Sequence, residues 1–195
     1  MSYELIAVGA SWGGLHAVSA LLDGLPDGVA AAIVVAQHRG PDSVRGSLDG
    51  LLQKHVARPV CEPNDKDPVR ERHVYLAPAD YHLLVEGGHF ALSTDARVQH
   101  ARPSIDVLFE SVAEAYRERA IGIVLTGANA DGARGLAAIK DAGGVAIVQD
   151  PATAERRAMP EAAIAATHAD AILPIDEIPK FLYGLCCGGP AKVEA

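Results

Sequence analysis

From Gly9 to Gly13 the chain reads Gly-Ala-Ser-Trp-Gly, a G-x-S-x-G spacing with a further glycine at position 14. A nucleophilic serine needs such a setting. Small neighbours let the chain turn sharply, and the first N–H groups of a following helix can receive a developing oxyanion. A plainer alternative is a glycine-rich strand-to-helix turn in which Ser11 only caps the helix. A pyrophosphate cradle is weaker still: the spacing is not G-x-G-x-x-G, and the next apolar run ends in Gln37-His38 rather than in an acid for a ribose hydroxyl. A serine hydroxyl becomes nucleophilic when a base takes its proton, and the base needs a third group to fix its tautomer. His38 is the candidate base. Asp131 and Asp150 are both candidates for the third group, although Asp131 could equally cap a helix and Asp150 could equally start a turn before Pro151. Composition and periodicity leave both open. His16 is nearer to Ser11 in sequence, but on a helix it projects away from a residue five positions earlier.

Elements that bring these residues together are legible in the pattern. Short β-branched runs alternate with longer Ala/Leu-rich periodic segments, the signature of βαβ units around a mostly parallel sheet. Strands are predicted at 4–9, 31–37, 74–77, 120–126, 145–149 and 171–174, and helices at 13–22, 43–55, 104–117, 132–142, 160–167 and 176–185. Asp42 and Pro103 flank the second and third helices, and Asp131 is placed to cap the fourth. Parallel strands share one C-terminal edge, so consecutive strands deliver Ser11 and His38 as neighbours there. One stretch breaks the alternation: 82–86, Gly87-Gly88 and 89–93 read as a β-hairpin, expected as an antiparallel appendage at a sheet edge. The fold class is therefore α/β, a doubly wound, mostly parallel sheet with helices on both faces. A single domain over 1–185 is expected, with a frayed tail over 186–195.

Bulk properties narrow the function. The chain has 195 residues, 17 Lys+Arg against 25 Asp+Glu and a formal charge of −8. An acidic balance with no basic block argues against a nucleic-acid partner. Its longest apolar stretch, 29–36, is far below the roughly 20 residues of a membrane span, and Met1–Glu4 carries no basic leader, so a cytoplasmic protein is expected. Three cysteines, two of them adjacent, make no disulfide framework, and the eight histidines show no HxxxH pair, so no metal or cofactor is expected.

Six ordered motifs then carry a resemblance. They are Gly9-Ala10-Ser11-x-Gly13-Gly14, Gln37-His38, Tyr75-Leu76-Ala77-Pro78, Arg102-Pro103-Ser104-Ile105-Asp106-Val107-Leu108-Phe109, Leu125-Thr126-Gly127-x-x-x-Asp131-Gly132 and Met159-Pro160-x-Ala162. Together they resemble the catalytic domain of the bacterial chemotaxis methylesterase family CheB, over nearly the whole chain. The resemblance implies Ser11 as nucleophile, His38 as general base and Asp131 as its orienting partner. It also implies a pocket and oxyanion site around Trp12, Gly13, Gly127 and Ala128. The implied reaction is hydrolysis of γ-glutamyl methyl esters on the cytoplasmic helical bundle of a methyl-accepting chemoreceptor, with glutamine deamidation as a second activity. Trp12 replaces the family's usual threonine, and Ala128 its common methionine. The chain starts at its first catalytic strand without the family's receiver domain, so regulation by a receiver in cis is not expected. A receptor bundle is acidic, which calls for a local basic rim, and Arg39, Arg45, Arg97 and Arg102 are the expected docking residues. A catalytically silent scaffold of the same fold is the alternative. Oligomeric state is open.

Overall fold

The computed structural model describes residues 2–40, 43–44 and 46–188 of the chain. The expected cap Asp42, the expected docking residue Arg45 and residues 189–195 of the expected tail lie outside the described residues.

In chain order the elements are β1 (Leu5–Ala10), α1 (Gly14–Asp23), β2 (Ala32–Gln37), α2 (Ser47–Leu52), β3 (Val60–Cys61), β4 (Val74–Leu76), β5 (His82–Glu86) and β6 (His89–Ser93). They continue with α3 (Ile105–Tyr116), β7 (Ala120–Val124), α4 (Ala133–Asp141), β8 (Val145–Gln149), α5 (Ala158–Ala166), β9 (Ala171–Leu173) and α6 (Ile178–Cys187). Seven strands pair in the order β3-β4-β2-β1-β7-β8-β9, and every pairing is parallel. The chain leaves β1 to one side for β2 and later returns to its other side with β7, so the sheet's switch point lies beside β1, where open α/β sheets place their ligands.

Alternation along β1 shows how both faces are covered. Leu5 and Ala7 join a core with Ile105, Leu108 and Phe109 of α3 and Leu136 of α4, whereas Ile6, Val8 and Ala10 join one with Val18 and Leu21 of α1 and Leu182 of α6. A strand buried on both faces is apolar throughout, which is why these runs are continuous rather than alternating.

The hairpin has the register expected from sequence, with Glu86 opposite His89. Gly87 and Gly88 adopt φ of 55° and 82°, the pair of positive values that a two-residue turn of this hand demands. Instead of extending the main sheet at its edge, it forms a sheet of its own. It is held to α3, where the Ser111 hydroxyl receives the Val85 N–H at 3.0 Å, and to β4, where Phe90 packs on Tyr75 at 4.6 Å between ring centroids.

Three expectations about helices are corrected. The second helix begins at Ser47, not Ser43, because Gly46 takes a left-handed φ of 81° that no helical residue adopts, and its last residues, 53–55, tighten into a 3₁₀ turn. Helix α6 runs through Cys186 and Cys187, which were expected in the tail; it stops at Gly188, left-handed as at many helix ends. Asp131 does not cap α4, whose N-cap is Gly132 without a side-chain bond. Strand β3 was not predicted, since two residues are too short for a periodicity.

Candidate active site

Ser11 follows the last residue of β1 and His38 the last residue of β2, and those last residues, Ala10 and Gln37, are register partners. Backbone bonds extend the pairing past the strands: His38 N–H donates to Ala10 O at 3.0 Å and Ser11 N–H to Thr126 O at 2.9 Å. The Ser11 hydroxyl thereby comes to 3.2 Å from Nδ1 of His38, and His38 Nε2 lies 2.7 Å from Oδ2 of Asp131. Asp131 is wholly buried, while His38 keeps 13% of its side chain exposed. A carboxylate only accepts, so in the neutral imidazole the proton sits on Nε2 and the Nδ1 lone pair faces the serine hydroxyl. That is the orientation a general base requires. Ser11 is not spent as a helix cap, because the N-cap of α1 is Gly13.

Asp131 is held by helix α3. Its Oδ1 accepts from the Ser104 hydroxyl at 2.9 Å and from Asp106 N–H at 3.0 Å, and its Oδ2 accepts from Ile105 N–H at 2.8 Å besides His38. Asp106 returns the arrangement to α4: its Oδ1 accepts from Gly132 N–H at 2.9 Å and Gly135 N–H at 2.8 Å. The two buried aspartates thus exchange caps, each satisfying orphan amides at the other's helix start. Their acidities diverge. Burial pushes the Asp131 carboxyl up, but the His38 hydrogen bond and the amides of Asp106 and Ile105 outweigh it and hold the group below its ordinary value. Burial dominates at Asp106 and, helped by the negative charge of Asp131, raises it above the usual range against the pull of the Gly135 and Gly132 amides and of Arg134. Asp150, the other candidate partner for His38, is a turn residue whose Oδ1 accepts from Ala152 N–H at 2.9 Å. His16 is exposed on α1.

Gln37 is a part of the site that sequence reasoning noted as the end of a strand and as half of the Gln37-His38 motif, without a role. Its Nε2 donates to the carbonyl of Ser11 at 2.8 Å and to that of His38 at 3.0 Å, tying nucleophile and base by one amide group. Gly14 makes room for it, since a Cβ there would stand 2.1 Å from Gln37 Oε1. Replacing Gln37 with leucine is expected to lower kcat by about ten- to a hundredfold with little change in KM, as loosened positioning does. Steady-state kinetics on an ester substrate check this, and a KM effect alone would contradict it.

The pocket residues divide. Trp12 is 58% exposed, with its indole N–H on Glu155 Oε1 at 2.8 Å and the Arg156 guanidinium 5.2 Å above its ring. This holds the ring against the loop before α5, and the Ser11–His38 contact forms with Trp12 in place. Neither Glu155 nor Arg156 was anticipated from sequence; they lie far along the chain in a loop without a motif. Gly127 is corrected as an oxyanion donor, because its N–H is taken by Arg156 O at 3.1 Å. No described residue accepts from the N–H groups of Trp12, Gly13 or Ala128.

Of the docking arginines, Arg39, Arg97 and Arg102 line one cavity of about 310 Å³ that has His38 in its wall. Arg39 and Arg102 are not ordinary solvated surface arginines, whereas Arg97 is exposed. Arg39 is 9% exposed and bonded to buried Glu62 at 2.5 Å and to Ala77 O at 2.8 Å, while Arg97 and Arg102 share Asp80 at 3.0 and 2.9 Å. Among the described residues no His/Cys/Asp/Glu group is arranged to hold a metal, and no helix is long and apolar enough to cross a membrane.

Comparison with known proteins places the chain in a family. Residues 6–182 match the family model described as CheB methylesterase. A relative from Leptospira interrogans (strain Fiocruz L1-130), provisionally named a protein-glutamate methylesterase/protein-glutamine glutaminase, is 44% identical over 95% of this chain and 96% of its own length. One from Anaeromyxobacter dehalogenans, named protein-glutamate methylesterase/protein-glutamine glutaminase 2, is 41% identical over 93% of this chain but 53% of its own length. The chain spans about half the length of that relative. The crystal structure of the Thermotoga maritima CheB methylesterase catalytic domain superposes with a TM-score of 0.88 at 32% identity, covering 95% of this chain and all of that one.

Proposed function

The chain belongs to the CheB methylesterase family, and from that premise we propose that it hydrolyses γ-glutamyl methyl esters on the cytoplasmic helices of a chemoreceptor through Ser11, His38 and Asp131. One observation carries the proposal: the unbroken line of polar contacts from the Ser11 hydroxyl through the imidazole to a fully buried carboxylate. Ser11 Oγ attacks the ester carbonyl carbon while His38 Nδ1 takes its proton. The tetrahedral oxyanion collapses, the C–O bond to methanol breaks, and the imidazolium returns its proton to the departing oxygen. Water, deprotonated by the same nitrogen, then attacks the acyl-enzyme and releases the glutamate side chain and free Ser11. Asp131, held ionised by its amide partners, stabilises the imidazolium in both halves. The N–H groups of Trp12, Gly13 and Ala128, which no described residue accepts from, are the candidate donors to the oxyanion, and one such donor typically contributes about 10² to 10³ in rate.

Glutamine deamidation follows the same route with ammonia as the leaving group, and the relatives' names carry that second activity. The proposal places the protein in the cytoplasm, where such a substrate domain lies. A fluorophosphonate probe tests the nucleophile directly: stoichiometric labelling of Ser11, and of no other serine, is the expected result. An unlabelled protein would be the silent scaffold instead.

A further inference from the structure

We propose that the cavity beside His38 is a carboxylate subsite that reads an acidic side chain of the substrate one helical turn from the ester; this rests on the methylesterase reading above. The cavity, about 310 Å³, is walled by His38, Arg39, Arg97, Gln99, Arg102 and Asn129. Its volume suits one extended side chain rather than a helix.

The three guanidiniums play different parts. Arg102 is spent: its Nη1 donates to the carbonyls of Thr94 and Asp95 at 2.6 and 3.0 Å, and its Nε and Nη2 to Asp80. It builds the wall. Arg97 makes a single 3.0 Å bond to the same Asp80 oxygen and keeps 43% of its side chain exposed, so it can turn donors to an incoming anion. Arg39 supplies field from below. Among the described residues only its Nη2 is bonded, to Glu62 and Ala77, while Nε and Nη1 are shielded from solvent and find no acceptor there. A buried, half-satisfied guanidinium acts through a lower dielectric than a surface charge and is screened less by salt. The wall itself carries three guanidiniums and no carboxylate; the acids bonded to wall residues, Glu62, Asp80, Asp131 and Asp106, are not among the side chains that line it.

Substrate geometry fits a wall of this composition. On a helix, side chains three and four residues apart are neighbours, about 5–6 Å between Cβ atoms. With the ester seated at Ser11, a helix that runs toward His38, 3.2 Å away, brings the side chain one turn along to the cavity that His38 walls. A glutamate there gains an ion pair; a glutamine does not.

The test leaves the protein intact and changes the substrate. Two helical peptides of about 20 residues carry one central γ-glutamyl methyl ester, flanked three and four residues to either side by glutamate in one and by alanine, which the site cannot deamidate, in the other. Methanol release is measured at low and high salt. The expected kcat/KM favours the glutamate peptide by about fivefold or more at low salt, the scale of a charge-assisted pair at a partly exposed site, and the ratio falls with added salt and in Arg97→Gln. Equal kcat/KM for the two peptides, or a preference untouched by both salt and Arg97→Gln, would overturn the subsite while leaving the esterase reading standing. Turnover of neither peptide would overturn both.

Discussion

Ser11→Ala is expected to lower methanol release from a γ-glutamyl methyl ester by at least about 10⁴-fold, the scale lost when a triad nucleophile is removed. The loss should fall on kcat, since the hydroxyl matters only once the carbonyl is attacked. Folding should survive almost unchanged. The Ser11 backbone, not its side chain, holds the turn: its N–H is on Thr126 O and its carbonyl accepts from Gly14 N–H and Gln37. Thermal unfolding of Ser11→Ala should therefore coincide with that of the parent within a few degrees, and methanol release at the parent rate would sink the mechanism.

Asp131→Ala is expected to differ in kind, losing activity and stability together. The rate should fall by about 10³- to 10⁴-fold because His38 loses both its tautomer and the stabiliser of its positive charge. Removal of the carboxylate also leaves the Ser104 hydroxyl and the Ile105 and Asp106 amides buried without an acceptor, at about 1–3 kcal/mol each before relaxation. A drop of roughly 3 kcal/mol or more in chemical denaturation is the expected outcome. The pH dependence has a definite sign. Asp131 is more acidic folded than unfolded, so its stabilisation is complete above the unfolded value near 4 and is lost as pH falls through the still lower folded value. Asp106 has the reverse sign: its raised pKa favours the folded state below the unfolded value and loses that benefit as pH rises through the folded one. Denaturation midpoints from about pH 2 to 6 should show the acid limb flattened in Asp131→Ala. An unchanged acid limb would contradict the assignment of Asp131 as the ionised cap.

Much of this geometry was legible in the residues before any coordinate. Ser11 and His38 could be placed together because a parallel sheet delivers consecutive strand ends to one edge, a rule that needs only the strands' ends to be known. The hairpin was legible because Gly87-Gly88 serves one kind of turn. Asp131 was not separable from Asp150 by pattern, since both follow strands; only the family motif chose between them, and the structure gives the reason in the start of α3, which reaches one and not the other. Its capping role was misassigned for a related cause. Local sequence suggests that an aspartate caps the helix it precedes, whereas here each aspartate caps the helix the other belongs to, a tertiary exchange no window of residues reveals. Arg39 was read as a docking residue of a basic rim; its burial follows from Glu62, 23 residues away and also buried.

The exchanged caps also alter what an intact triad says about any chain of this fold. Ser11 has no structural duty that alanine or glycine could not perform, so a copy released from selection for turnover can shed it freely. Asp131 is different, for its loss uncaps a helix in the centre of the domain. Drift toward an inert form should therefore erase the nucleophile first and the aspartate last. In such chains a retained aspartate testifies only to folding, and the diagnostic weight for activity rests on the serine.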